Sequence, residues 1–310
     1  MRVLIVGAGA VGGYYGGRIL EAGRDVTFLV RPRRREQLTA RGLCIKSPLG
    51  DVELAAPTVL ADEIKAPWDL VVLSCKAYDL AGAIDSLAKA VGPQSMILPL
   101  LNGMAHLDVL TERFGGERVL GGLCSIAVTV DDQGSIVHLN HLHNLAFGER
   151  VGGESARTKA VAELLGPAKF EWSLSSAIIL EMWEKWVFLA ALAAGTCLMR
   201  ASVGDIMKAG GAATLAGLLA ETQSIASAAG HAARPHVLAN AHGMLSAAGS
   251  ALTASMLRDV EKGGPIENEH VIGDLVRRAQ AFGVAVPLLE LAHLHLKAYE
   301  ARREGGSGPK

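Results

Sequence analysis

The chain opens on an apolar run, Val3 to Val6, that breaks at Gly7, Gly9 and Gly12 and is followed by a second apolar run, Asp25 to Val30. A strand, a glycine-spaced turn and a helix opening directly onto it constrain the N-terminal half more than any other feature, because together they make a dinucleotide-binding unit. Gly7 permits the tight turn, Gly9 lets the backbone approach a pyrophosphate, and Gly12 lets the helix lie close on the sheet. The helix N-terminus then presents free N–H groups and the positive end of its dipole. A bare G-x-G-x-x-G also occurs in glycine-rich turns that hold no ligand; its position between two strands favours the nucleotide reading.

The end of the second strand bears on which cofactor is taken. An acid there would hold the ribose 2′-OH of NAD, whereas this strand ends in Val30-Arg31 and continues Pro32-Arg33-Arg34-Arg35. NADP is therefore expected, with Arg31 gripping the extra phosphate through its planar guanidinium. The alternative for Arg33 to Arg35 is the solvated first turn of a helix.

At 310 residues the chain is long enough for about two domains, and 50% hydrophobic with 20% charged residues is the composition of an α/β enzyme. A net charge of −1 points to neither nucleic acid nor an anionic membrane as partner. Cys44, Cys75, Cys124 and Cys197 are far apart, without a C-x-x-C pair, so neither a disulfide framework nor a zinc site is expected, and a reducing cytoplasm is the default. The N-terminal apolar run is short and glycine-broken, unlike a signal peptide. Trp186 to Met199 falls short of the ~20 residues of a membrane span and reads as a buried core helix.

Along the chain, Leu43 to Lys46 and Val52 to Leu54 read as a hairpin around Ser47-Pro48-Leu49-Gly50. Leu70 to Cys75 and Met96 to Leu101 read as parallel strands, and Arg118 to Val130, Ser135 to Leu139 and Leu145 to Phe147 as closing edge strands. From about Ala168 the pattern turns to Ala- and Leu-rich helical periods. The expected fold is α/β: a Rossmann-type doubly wound domain over 1–172, an all-helical substrate or dimerisation domain over 173–304, and a disordered tail over 305–310. The Ala-rich helices offer a face that a homodimer could bury. Ligands of open α/β sheets bind beyond the carboxyl ends of the strands, where Lys76 and Asn102 stand. Each also has a plain reading, as a lysine at a strand exit and as an Asn-Gly turn.

Several stretches, in this order and spacing, carry a resemblance: GAGAVG at 7–12, Arg31, Cys75-Lys76, Asn102-Gly103, Trp183-Glu184-Lys185, Ser255-Met256-Leu257-Arg258-Asp259, Glu267, and Arg277-Arg278-Ala279 before Gly283 to Pro287. Over nearly its whole length the chain resembles the ketopantoate reductase (2-dehydropantoate 2-reductase) family. The resemblance implies a Rossmann domain followed by a helical domain, with NADPH and a 2-keto acid meeting in the cleft between them, and by default the reduction of ketopantoate to pantoate in pantothenate biosynthesis. For matching positions it implies cofactor contacts from Gly7, Ala8, Gly9, Ala10, Val11, Gly12, Arg31, Lys76, Asn102 and Ala127. It further implies Lys185 as the catalytic proton donor, Glu267 near substrate and cofactor, and substrate contacts at Lys185, Leu189, Ala193 and Ser255.

Chemistry agrees about Lys185. Hydride reduction of a ketone leaves negative charge on oxygen, and a partly buried ammonium at the start of an apolar helix can stabilise and protonate it. The alternative is an i,i+4 ion pair with Glu181, worth a few tenths of a kcal/mol. The chain also departs from the family. Leu189 and Ala193 stand one and two turns after Lys185 where the family has asparagines, and Val203 and Leu252 replace two more. Apolar side chains there disfavour a hydroxylated substrate, so a more apolar 2-keto acid or ketone is a rival to ketopantoate, and a non-catalytic NADP-binding sensor or scaffold is a rival of another class. His138, His141 and His143 are close in sequence, but alternation along strands separates them and no metal is expected. Glu267 follows Gly263-Gly264-Pro265, where a helix-start charge is the plain reading.

Overall fold

The computed structural model describes residues 1–306. They form two compact units, Met1–Leu101 with His106–Ile179, and Asn102–Ala105 with the chain from Leu180 onward. The first holds ten strands: β1 (Val3–Val6), β2 (Val26–Leu29), β3 (Leu43–Lys46), β4 (Val52–Leu54), β5 (Thr58–Val59), β6 (Leu70–Leu73), β7 (Met96–Pro99), β8 (Gly121–Val130), β9 (Ile136–Gly148) and β10 (Glu171–Leu174). Its helices are α1 (Ala10–Glu21), α2 (Pro32–Arg41), α3 (Leu80–Leu87), α4 (Ala105–Phe114), whose first residue counts with the second unit, and α5 (Ala156–Leu165).

Five strands pair in parallel in the order β5-β2-β1-β6-β7, with Val3 in register with Val26 on one side and Leu70 on the other. Strands buried on both faces must be apolar throughout, which is why β1 (VLIV) and β6 (LVVL) are continuous hydrophobic runs. The order reverses at β1, so the carboxyl ends of β1 and β6 flank the switch point where such sheets take ligands.

The remaining strands form a second sheet, β10-β9-β3-β4, with β8 antiparallel to β9. The sequence pattern predicts β8 and β9 as closing edge strands, with β9 in two pieces. In fact β9 is one strand whose first half pairs with β3 and whose second half pairs with β10, with residues 139–142 looping out between His138 and His143 opposite Ala127. Glu171–Leu174, expected to be helical, is β10, because pairing with β9 over Asn144 to Phe147 overrides the local pattern. The expected division at 172–173 falls inside this strand.

Helix α1 explains the double glycines of its sequence. It lies between the two sheets: a Cβ at Gly16 would stand 2.7 Å from Ile5 and Phe28 of the first sheet, and one at Gly17 2.7 Å from Ile45 and 2.9 Å from Leu43 of the second. Helical glycine costs about 1 kcal/mol each in propensity, which close packing of a shared core offsets.

The second unit is helical: α6 (Ile178–Met199), which starts at the boundary, then α7 (Val203–Lys208), α8 (Ala212–Ala228), α9 (Pro235–Leu245), α10 (Ser255–Glu261), α11 (Asp274–Phe282) and α12 (Pro287–Glu304). Trp186, Ala190, Ala194 and Cys197 of α6 are buried at its centre, and Thr222 Oγ1 of α8 donates to the Val187 carbonyl at 3.0 Å. Of the tail, Gly305 and Gly306 form an exposed turn and residues 307–310 lie outside the described residues. Among the described residues no helix is long and apolar enough to cross a membrane.

Candidate functional site

The glycine loop has the form a dinucleotide requires. Gly7 sits at φ +93°, a conformation side-chain-bearing residues rarely adopt, and turns the chain off β1. Gly9 is the N-cap of α1; no side chain caps this terminus and no acid lies in its first turn. A Cβ on Gly9 would enter open space, whereas one on Gly12 would collide with Ser74 Oγ and the Gly7 carbonyl. So Gly12 seats the helix on the sheet while the N–H groups at Gly9 face an open cradle, and the residues present fit a bound pyrophosphate.

At the end of β2, Arg31 is the N-cap of α2 with Pro32 behind it. Its Nη2 donates to Asp79 Oδ1 at 2.7 Å, on side chains 79% and 38% exposed. The Asp79 hydrogen bond, and then its charge, raise the guanidinium pKa. Asp79 had no signal in the sequence, since it approaches Arg31 only through the fold. The other arginines divide: Arg33 is exposed, Arg35 pairs with Glu63, and Arg34 is structural, its Nε on the Ala8 carbonyl at 3.0 Å and its Nη1 on the Gly134 carbonyl at 2.9 Å. Lys76 stands half-buried past the carboxyl end of β6, opening the turn Ala77–Asp79.

In the second unit, Lys185 and Asn102 come together across 83 residues of chain: Lys185 Nζ donates to Asn102 Oδ1 at 3.0 Å. The neighbouring Trp186 indole donates to the Val271 carbonyl at 2.8 Å, which ties α6 to a π-helical turn over Glu269–Gly273. Glu267 lies just before this turn, buried at 8% exposure, and its carbonyl accepts from Val271 N at 2.9 Å. The helix expected to start at Glu267 instead begins beyond it, as the π-helical turn Glu269–Gly273, with α11 following from Asp274. His270, not singled out in the sequence, packs against Asn102-Gly103. Burial pushes its pKa down, while Glu267, Asp274 and a hydrogen bond to the Asn102 backbone oppose that shift. These residues place an ammonium, a carboxamide, an imidazole and a buried carboxyl in one region, suited to proton donation.

The expected substrate positions differ among themselves. Leu189 is half-buried one turn beyond Lys185, and Ser255 is half-buried as the first residue of α10. Ala193, at 1% exposure, and Val203, at 0%, belong to the packed core. Val203 N donates to the Leu252 carbonyl at 3.0 Å, so these two hold a chain crossing by backbone. Ala127 lies in β8 at its irregularity, opposite the outward loop of β9.

The histidines of β9 brace that loop. His138 Nδ1 is 2.9 Å from Ser47 Oγ and its Nε2 is 3.0 Å from the Leu142 carbonyl, while the Tyr14 hydroxyl is 2.8 Å from His143 Nδ1. Burial, and then the His138 charge, push the His143 pKa down. Among the described residues no cluster of three His, Cys, Asp or Glu is arranged to hold a metal.

Two family models match the chain: ketopantoate reductase PanE/ApbA over residues 3–152, and ketopantoate reductase PanE/ApbA C terminal over residues 177–300. The chain is 36% identical over 304 residues to the uncharacterized oxidoreductase YkpB of Bacillus subtilis (strain 168), covering 98% of this chain and 100% of that protein. It is similar to the crystal structure of 2-dehydropantoate 2-reductase from Methylococcus capsulatus, with a TM-score of 0.88 and 28% identity over 98% of each chain. The ternary structure of D-mandelate dehydrogenase with NADH and anilino(oxo)acetate shares the fold at a TM-score of 0.88, with 20% identity over 98% of this chain and 100% of that one.

Proposed function

The chain belongs to the ketopantoate reductase family and is an oxidoreductase acting on a CH–OH group, and from that premise we propose that it reduces a 2-keto acid to the 2-hydroxy acid with NADPH, Lys185 donating the proton. The observation that carries this reading is the Lys185–Asn102 hydrogen bond. A side-chain amide oxygen fixes the ammonium through one N–H without taking its proton, which sets the direction of the donor toward a developing alkoxide.

Bound NADPH supplies the hydride to the keto carbon. The chain's residues do the rest. The N–H groups at Gly9 and along the first turn of α1 hold the pyrophosphate, with Gly7 and Gly12 shaping the loop. Arg31, whose guanidinium is bonded to Asp79, would hold the 2′-phosphate. Lys185 stabilises the negative oxygen and transfers a proton to it, which completes the alcohol and leaves the amine to be reprotonated by solvent. Glu267, buried beside His270, orients the substrate end of the site.

Ketopantoate is the family's default substrate. Leu189, next along α6 from Lys185, favours a keto acid without a hydroxyl, because a buried hydroxyl left unbonded costs its hydration. A proton donor held in place is of no use to a purely sensory NADP-binding protein, which weighs against that alternative. Cysteines spaced as far apart as Cys44, Cys75, Cys124 and Cys197 suit a reducing cytoplasm.

Lys185→Ala tests the assignment. NADPH affinity should be nearly unchanged while turnover falls by a factor on the order of 100 to 10,000, the contribution of a positioned general acid. Unchanged turnover would remove Lys185 from the chemistry.

A further inference from the structure

Asn102 is useful to Lys185 only if its own backbone is held, and it stands in a turn that includes Gly103 at φ +77°. That turn is fastened from one direction. A Cβ added to Gly103 would stand 2.9 Å from the His270 carbonyl oxygen, 3.1 Å from its ring Cδ2 and 3.4 Å from Nε2. The His270 carbonyl and ring therefore lie close against Gly103, and there is room for them only because residue 103 has no side chain.

We propose that His270 is a positioning residue for the proton donor, its ring N–H holding the Asn102 backbone so that the Asn102 side chain meets the Lys185 ammonium. The proposal rests on Lys185 being that donor. Three contacts close a ring around it: Lys185 Nζ to Asn102 Oδ1 at 3.0 Å, the Asn102 backbone to His270, and the carbonyl of Val271, next to His270, to the indole of Trp186, next to Lys185, at 2.8 Å. Every member lies in the second unit. The hydrogen bond with the Asn102 backbone favours the protonated ring, the sense expected of a ring N–H donating to a carbonyl.

The backbone around His270 is adapted to this. Residues Glu269–Gly273 take a π-helical turn, which widens the helix by one residue and rotates the side chains after it relative to an α-helix. Such turns are uncommon and are frequent at functional sites. Burial pushes the ring toward its neutral form, with one N–H to give, and Arg277 acts in the same sense while Glu267 and Asp274 oppose it.

The experiment uses the full chain and three variants, His270→Phe, His270→Gln and Asn102→Ala, with trimethylpyruvate and NADPH as probes. Phenylalanine keeps the ring's bulk without the N–H; glutamine keeps a donor without the ring. His270→Phe should bind NADPH as the natural protein does and lose ~10- to 100-fold in kcat, the effect of displacing a reacting group by about 1 Å. The alkaline limb of its kcat–pH profile should move to lower pH, because an ammonium that loses a fixed acceptor gives up its proton more readily. His270→Gln should recover most of both. Asn102→Ala reads the same link from the other end and should move kcat and the limb in the same directions, which keeps the proposal testable if the phenylalanine variant does not fold. Natural kcat and pH profile in His270→Phe, or in Asn102→Ala, would overturn the proposal, as would equal impairment of the Phe and Gln variants. Lys185→Ala separates the two readings: if it stays active the proton-donor assignment fails, and if it is inactive while His270→Phe is unimpaired only the role of His270 fails.

Discussion

At the scale of single residues, Gly12 and Arg31 answer different questions. Gly12 is enclosed by Ser74 and the Gly7 carbonyl, so Gly12→Ala must push α1 off the sheet and spoil the cradle. Overpacking of this kind costs ~1–3 kcal/mol. The variant should show a lower Tm and much weaker binding of NADPH and NADH alike, checked by thermal melts and fluorescence titration. Arg31→Ala should leave Tm unchanged and weaken NADPH selectively, by about 1.5–3 kcal/mol for a charge-assisted bond, while NADH binding hardly moves. Equal affinity of the natural protein for both cofactors would contradict the choice of NADPH. Asp79→Asn should act oppositely, strengthening NADPH about two- to fivefold, the scale of an exposed ion pair, since the phosphate no longer competes for Arg31. Gly12 was legible from spacing alone, because a tight turn and a close helix are local backbone requirements. Asp79 and His270 were not, since each acquires its role from a partner far away in sequence.

At the scale of elements, α6 bears the proposed proton donor, and its anchoring is electrostatic as well as apolar. Glu184, beside Lys185 and only 4% exposed, accepts from Arg234 N and Nε at 2.8 Å each and from Nη2 at 2.5 Å. Burial pushes the Glu184 carboxyl pKa up, but the bonds from Arg234 outweigh it and hold it below the ordinary value. A depressed carboxyl pKa contributes stability above its unfolded value and loses it as pH falls through the folded one. Glu184→Gln should therefore lower Tm at neutral pH, by an amount worth about 1–2 kcal/mol given that Arg234 keeps some contact with water. Its Tm gap from the natural protein should narrow between about pH 5 and the pKa region below. A gap constant with pH would show that packing, not charge, is lost. Elements also mark where local pattern stops being informative. The strands β1, β2 and β6 were readable because burial on both faces demands apolar runs. The second sheet was not, since β9 finds β3 with one half and β10 with the other, and no local signal records a change of partner.

At the scale of the whole molecule, the chain is a member of the ketopantoate reductase family. The family's order of motifs was visible in the sequence, while the enclosure of individual positions was not: Ala193 and Val203 turn out to be core, which leaves Leu189 and Leu252 as the half-buried departures, Leu189 being the one on the helix of Lys185. Ketopantoate and trimethylpyruvate differ only in one hydroxyl, so their kcat/KM ratio reads this difference directly. Leu189→Asn should shift the ratio toward ketopantoate, because a site that bonds a hydroxyl discriminates strongly against an analogue lacking it. The most direct test of the central claim is NADPH oxidation by the natural protein and by Lys185→Ala against a panel of 2-keto acids containing both compounds. Lysine-dependent turnover of at least one keto acid, with trimethylpyruvate ahead of ketopantoate, is the predicted result; no oxidation with any of them, or turnover that survives loss of the lysine, would contradict it.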